Sequence, residues 1–160
     1  MNNKLISLLK QNARLSNEQL AVMLGMTVEQ VAEEIQDLEK NGVIMGYSAI
    51  VNAEKIADEK VTAVIELRVT PQKDCGFEEI ARIITGYEEV ESVSLMAGAY
   101  DLAVTVKGNN VKDIAMFVAQ RLAPLSGVLS TATYFVLKTY KEKGISISGE
   151  EKDEREFFLP

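Results

Sequence analysis

The sequence predicts an α+β chain in two parts, three short helices followed by strands and helices in the order β-α-β-β-α-β. Three observations predict it. Two capping boxes stand eleven residues apart near the N-terminus, at Ser16 and Thr27. A charged stretch, Asn52 to Lys60, then separates two kinds of periodicity. Beyond it, segments that alternate apolar and polar residues interleave with segments of helical rhythm.

The first helix is read from the stripe Leu5, Ile6, Leu8 and Leu9. In Ser16-Asn17-Glu18-Gln19 the serine and the glutamine three residues on satisfy each other's backbone amides, which opens a second helix. Leu20, Ala21, Met23 and Leu24 form its buried face, and Gly25 ends it, as a residue tolerant of positive φ should. Thr27-Val28-Glu29-Gln30 repeats the box and opens a third helix, with Val28, Val31, Ala32, Ile35 and Leu38 inward and Asn41-Gly42 as the stop. Val43 to Ile50 alternates loosely around Gly46, as a short two-stranded wing would. Two capped helices joined by a Gly-containing turn make a helix-turn-helix. Residues 1–51 are therefore expected to form a winged helix-turn-helix.

Residues 52–60, with five charges, read as the linker. The second domain is expected over residues 61–141. Val61, Ala63, Ile65, Leu67 and Val69 alternate with Thr62, Val64, Glu66, Arg68 and Thr70 as a strand. Pro71–Gly76 is a loop, and Phe77–Ile84 a helix with Phe77, Ile80, Ala81 and Ile84 inward. Val90–Ala97 and Tyr100–Lys107 are strands about a Gly98-Ala99 turn, Val111 to Leu122 a helix, and Val128–Tyr140 a long last strand. This is the ferredoxin-like βαββαβ arrangement, whose right-handed crossovers put both helices on one face of the sheet. Val64 is apolar on the nominally polar side of its strand, Ala103 lies between Val104 and Val106, and in the last strand Thr131, Thr133 and Phe135 alternate with Ala132, Tyr134 and Val136. A sheet with both faces so lightly charged should meet a second sheet, and a two-fold homodimer is the natural inference.

Composition narrows the function. Histidine is absent and Cys75 is the single cysteine, so the commonest general base and metal ligand are missing and no internal disulfide can form. No zinc set, no Ser-His or Cys-His pair and no cofactor motif is present, so the chain reads as neither an enzyme nor a metalloprotein, with no catalytic residue and no cofactor. Membrane-length apolar runs and a secretory leader are lacking, which gives a cytoplasmic expectation. The net charge of −7 weighs against a broad basic surface for nucleic acid.

The chain nevertheless resembles the Lrp/AsnC, or feast/famine, family of regulators, from Leu5 to Lys141. The residues that carry the resemblance are Asn12-Ala13-Arg14-Leu15-Ser16, Leu38-Glu39-Lys40-Asn41-Gly42-Val43-Ile44, Gly46-Tyr47, Gly98-Ala99-Tyr100-Asp101 and Thr131-Ala132-Thr133, in that order. The resemblance implies a winged helix-turn-helix on DNA and a ferredoxin-like domain that builds dimers into tetramers or octamers. It also implies a small effector, an amino acid or similar metabolite, held between dimers. On matching positions the effector site is Gly98, Tyr100, Asp101, Thr131 and Thr133. Asp101 would take an ammonium group, the threonine hydroxyls polar atoms, and glycine amides a carboxylate. A plainer reading stands beside it: Gly98 for a positive-φ turn, Tyr100 for packing, and the threonines as good strand residues.

The family usually carries arginine or lysine on its DNA-reading helix, whereas Thr27–Lys40 holds five acids and one lysine, a net −4. Residues 1–51 sum to −2, from four cations against six carboxylates. DNA contact is expected from Ser16, Thr27, Glu29, Gln30, Glu33 and Lys40. Gln30 would bond adenine and Glu29 or Glu33 accept from cytosine N4, while helix amino-termini and the lysines hold phosphate. Weak half-sites would gain from avidity in an oligomer. The leading reading is a metabolite-responsive transcription regulator; the alternative is an oligomeric metabolite sensor that acts through a protein partner. Cys75 has no visible activator and reads as a bystander thiol. Residues 142–160 form an acidic tail with Phe157-Phe158-Leu159 just before its last residue, disordered or docked on a neighbouring subunit.

Overall fold

The structure, a computed structural model, describes residues 2–56, 60–71 and 76–147. Cys75, the tail beyond 147 and part of the linker lie outside the described residues. The chain divides into two compact units between Ala49 and Ile50.

The first unit holds α1 (Asn3–Gln11), α2 (Asn17–Leu24) and α3 (Val28–Lys40). Both capping boxes close. Ser16 Oγ accepts from Gln19 N at 3.3 Å while Gln19 Oε1 accepts from Ser16 N at 2.9 Å. Thr27 and Gln30 exchange the same pair at 3.2 and 3.0 Å. Gly25 ends α2 at φ 67°, a value only glycine adopts without strain. Gly42, at φ 68°, ends α3 in a Schellman turn, its amide donating to Glu39 O and that of Val43 to Leu38 O. Leu5, Leu9, Leu20, Ala21, Val31 and Leu38 bury their side chains together. At about 1.5–3 kcal/mol per large buried side chain, this cluster holds the three helices together.

The two-stranded wing expected at Val43–Ile50 has no strand ladder. Gly46 does not take the positive φ of a tight hairpin turn, and beyond Ile44, which packs on the helical core, Met45 and Tyr47 are exposed. A lone two-stranded ribbon is marginal in water. The segment is anchored instead by Tyr47, whose hydroxyl donates to Glu39 Oε1 at 2.9 Å.

The second unit carries β1 (Val61–Val69), α4 (Glu78–Thr85), β2 (Val90–Leu95), β3 (Leu102–Gly108), α5 (Val111–Phe117) and β4 (Val128–Phe135). The sheet is antiparallel in the order β2-β3-β1-β4, which realises the expected βαββαβ chain. Ala63, Ile65, Leu67 and Val69 of β1 and Leu102, Val104 and Val106 of β3 face the core with Ile80 and Ile84 of α4 and Ile114 and Phe117 of α5. Tyr87 meets Phe117 edge-on at 5.5 Å, and Arg121 lies over the Tyr87 ring.

Three boundaries differ from the sequence expectation. The strand pair β2/β3 stops at Leu95 and resumes at Leu102, so the connection is six residues and not a two-residue turn. The last strand ends at Phe135 because β1 has little left to pair with: Val136 N donates to Thr62 O, and Leu137 beyond it is almost wholly exposed. A small hairpin, β5 (Lys141–Glu142) with β6 (Ile145–Ser146), comes after it. The second helix of the domain also changes pitch, with a π-turn over Val118–Leu122 that leaves both end residues in the core.

Candidate functional site

In the helix-turn-helix, three of the six residues expected to meet DNA, Ser16, Thr27 and Gln30, are engaged in the capping boxes. Glu29 sits in the first turn of α3, where its own backbone amide and the Thr27 hydroxyl hold its carboxyl below the ordinary glutamate value. The Ser16 hydroxyl and its own amide do the same for Glu18 on α2. Each carboxylate thus occupies the helix amino-terminus that was expected to hold phosphate. Glu33 and Lys40 are exposed, and Glu34 is drawn inward to accept from Asn2 N at 2.7 Å.

The five effector residues fall in two groups. Gly98, Tyr100 and Asp101 lie on the β2–β3 connection, and Thr131 and Thr133 on β4. Leu67 pairs with Leu102 on one side and Thr131 on the other, so Asp101 and Thr131 are about two strand spacings apart, roughly 10 Å. Register places Thr133 beside Ile65 and Thr131 beside Leu67, on the helix-facing side of the sheet. Tyr100 lies close enough to Tyr134 to disfavour its ionisation, and Tyr134 belongs to the opposite face. The two groups therefore do not close on one pocket within a single chain.

One of these residues has a clear local role. Asp101 Oδ2 accepts from Val69 N at 2.7 Å, next to the point where β1 and β4 shift register. Its backbone also donates to Leu67 O and accepts from Met96 N. The carboxylate thus replaces a missing ladder acceptor at the end of β1. Gly98 has the reverse character. Its φ is outside the left-handed region, and an added Cβ would meet nothing within 4 Å. Neither backbone conformation nor packing within the chain requires glycine there, so a positive-φ turn does not explain it.

Sequence reasoning missed a pair on the open sheet face. The Tyr134 hydroxyl donates to Glu66 Oε2 at 3.2 Å, and Glu66, that hydrogen bond and nearby Tyr100 together raise the Tyr134 phenol above its usual range. Glu66 and Tyr134 lie on different strands, and only the observed register, Glu66 with Ala132 and Val64 with Tyr134, makes them diagonal neighbours. A cavity of about 460 Å³ lies elsewhere, bordered by Lys60, Glu89, Asn109, Asp113 and Phe117, and contains none of the five expected residues. Among the described residues, no helix is long and apolar enough to cross a membrane, and no group of three or more His, Cys, Asp or Glu is placed to hold a metal.

Comparison with known proteins identifies this arrangement. A family model described as Lrp/AsnC ligand binding domain matches residues 62–145, and one described as winged helix-turn-helix DNA-binding matches residues 2–45. The chain is 42% identical over 153 residues to the uncharacterised HTH-type transcriptional regulator YugG of Bacillus subtilis, covering 95% of this chain and 92% of that one. It is 30% identical over 139 residues to the leucine-responsive regulatory protein of Haemophilus influenzae, covering 87% and 83%. Among solved structures, the Mycobacterium tuberculosis leucine response regulatory protein superposes with a TM-score of 0.72 at 24% identity, covering 89% of this chain and 94% of that one. A Neisseria meningitidis transcriptional regulator in complex with L-methionine gives 0.69 at 24%, covering 87% and 89%. The structural likenesses establish the shared fold, and the family is one of regulators and not of enzymes. The chain belongs to the Lrp/AsnC family of DNA-binding transcription regulators, with a helix-turn-helix followed by a ligand-binding domain.

Proposed function

We propose that the protein is an amino-acid-responsive transcription regulator that acts as an oligomer, its effector held between copies of the chain. The observation that carries this reading is Gly98, a glycine that its own chain does not need. An exposed position kept free of a side chain suits close approach by something from outside the chain. Tyr100 and Asp101 lie beside it, and Thr131 and Thr133 sit on another strand and the other face, so a site using all five draws on more than one copy. The second Asp101 oxygen suits an ammonium group, the threonine hydroxyls suit polar atoms, and amides about Gly98 suit a carboxylate. The Neisseria relative bound L-methionine, and the Haemophilus relative is named for leucine. Both support a zwitterionic ligand here.

On the DNA side, α3 reads bases while Ser16 and Thr27 hold the two helices in register and Lys40 reaches phosphate. The small domain offers few cations, so contact through several subunits supplies the affinity. A second reading is favoured by the same acidic α3: an oligomeric sensor that acts on a protein partner.

Footprinting of the purified protein on the DNA upstream of its own gene, with each amino acid added in turn, separates the two. Regularly spaced protection, altered by one amino acid, is the expected result. A folded oligomer that protects no DNA at low salt would leave the protein-partner reading in its place.

A further inference from the structure

We propose that Glu33 is the base-reading residue of the helix-turn-helix, and that it accepts from the N4 amine of a cytosine in the major groove. The inference deepens the proposal that the protein regulates transcription through DNA, and it rests on that reading.

In a helix-turn-helix the second helix lies in the major groove and its N-terminal residues meet base edges. Here that helix is α3, and the exposed polar residues of its first two turns are Glu29, Gln30 and Glu33. The structure sorts them. Gln30 Oε1 is taken by Thr27 N at 3.0 Å, within the box that starts the helix. Glu29 lies in the first turn, where its own amide and the Thr27 hydroxyl favour its charged form. Glu33, one turn further, is exposed and has neither a hydrogen bond nor an ion pair among the described residues. Asp37 continues the same stripe a turn later, and like charges four residues apart weaken a helix. Glu33 therefore gains nothing from its neighbours on α3, and its exposed carboxylate is free to meet a base edge.

Its chemistry selects the base. A carboxylate offers acceptors only, so in the major groove it is opposed by guanine N7 and O6 and by thymine O4. The donors available are cytosine N4 and adenine N6. On adenine the amine adjoins N7, an acceptor that repels the second carboxylate oxygen. On cytosine the amine stands alone on its base edge. Phosphates repel Glu33 at every site, and the cytosine contact returns a hydrogen bond with no adjacent acceptor on the same base to oppose it, so the residue acts chiefly by rejecting wrong sequences.

The test is selection of bound duplexes from a random pool by the full-length protein, its Glu33→Gln variant and its Glu33→Ala variant, followed by titration of the selected sites. Glu33 is exposed and without polar contacts among the described residues, so both variants should fold, which thermal unfolding checks. The wild type should enrich cytosine at one fixed position per half-site, with about ten-fold weaker binding when that pair is replaced. Glu33→Gln should move the preference there to adenine, whose N6 and N7 match an amide. Glu33→Ala should bind at least as tightly and lose the preference. A base preference that does not change with residue 33 would overturn the assignment while leaving DNA regulation intact. No retained duplex from the folded wild type would overturn both.

Discussion

Asp101 acts on the backbone of a neighbouring strand, and this sets what substitution there should do. β1 runs on past the point where β3 begins, and the register with β4 shifts between Arg68 and Val69, so the Val69 amide lacks a strand carbonyl. The Asp101 carboxylate accepts it at 2.7 Å beside a residue that is 4% exposed. Leaving such a buried donor unsatisfied costs about 1–3 kcal/mol. Asp101→Ala should lose that amount in urea unfolding. Asp101→Asn, which keeps an acceptor oxygen, should lose less than half of it. If Asp101 also takes the ammonium group of the effector, both variants should lose the response to amino acid alike. An Asn variant as unstable as the Ala variant would mean that charge, and not the acceptor, serves the strand. The sequence marks Asp101 as a candidate site residue, but its strand tie depends on a register shift that no local pattern reveals. Gly98 is the converse case: its place in the hairpin is legible, and the reason for glycine there becomes visible only once φ and the surrounding space are known.

At the scale of elements, the legible features are local ones. Both capping boxes involve residues three apart, and a single glycine ends α2, so these boundaries come from short-range chemistry alone. Alternation likewise separates the faces of β1 and β4. It does not say which face of β4 the helices cover, because that depends on which neighbour Thr131 and Thr133 pair with. The expected wing strands are absent and the expected last strand runs too long for the same reason, since β-propensity cannot report a missing partner. A further long-range constraint is Gly108, at the end of β3. A Cβ there would stand 2.8 Å from Cγ1 of Ile114, which is 2% exposed beneath α5. Gly108→Ala should therefore cost about 1–3 kcal/mol by overpacking, although alanine ordinarily suits a strand better than glycine. Ile114→Ala alone should cost about 2–5 kcal/mol through the cavity it leaves. The double variant should cost clearly less than the two together, since the added methyl enters the vacated space. Strict additivity in chemical denaturation would show that the clash relaxes elsewhere.

At the scale of the whole molecule, the question is how a chain of net charge −7 holds a polyanion. Residues 1–51 carry Lys4, Lys10, Arg14 and Lys40 as their only cations. Each phosphate neutralised contributes about 0.9 to the slope of log affinity against log salt concentration. If two copies grip one site with all their helix-turn-helix cations, the slope cannot exceed roughly 7 in magnitude. The charges of Glu33 and Asp37 oppose phosphate contact and keep the expected slope below this ceiling. A slope of about 3–5 for a dimer-sized site is the expected outcome. Titration of one selected duplex from low to moderate salt measures it directly. Asp37→Asn should raise affinity for all sequences by a similar factor and leave base preference unchanged, because that carboxylate lies beyond the first two turns of α3. A slope well above the ceiling would require cations outside the first 51 residues, and the ligand-binding domain would then be in contact with DNA. A slope below it, with affinity that climbs as subunits associate, would mean that assembly supplies the attraction that the charge of each helix-turn-helix withholds.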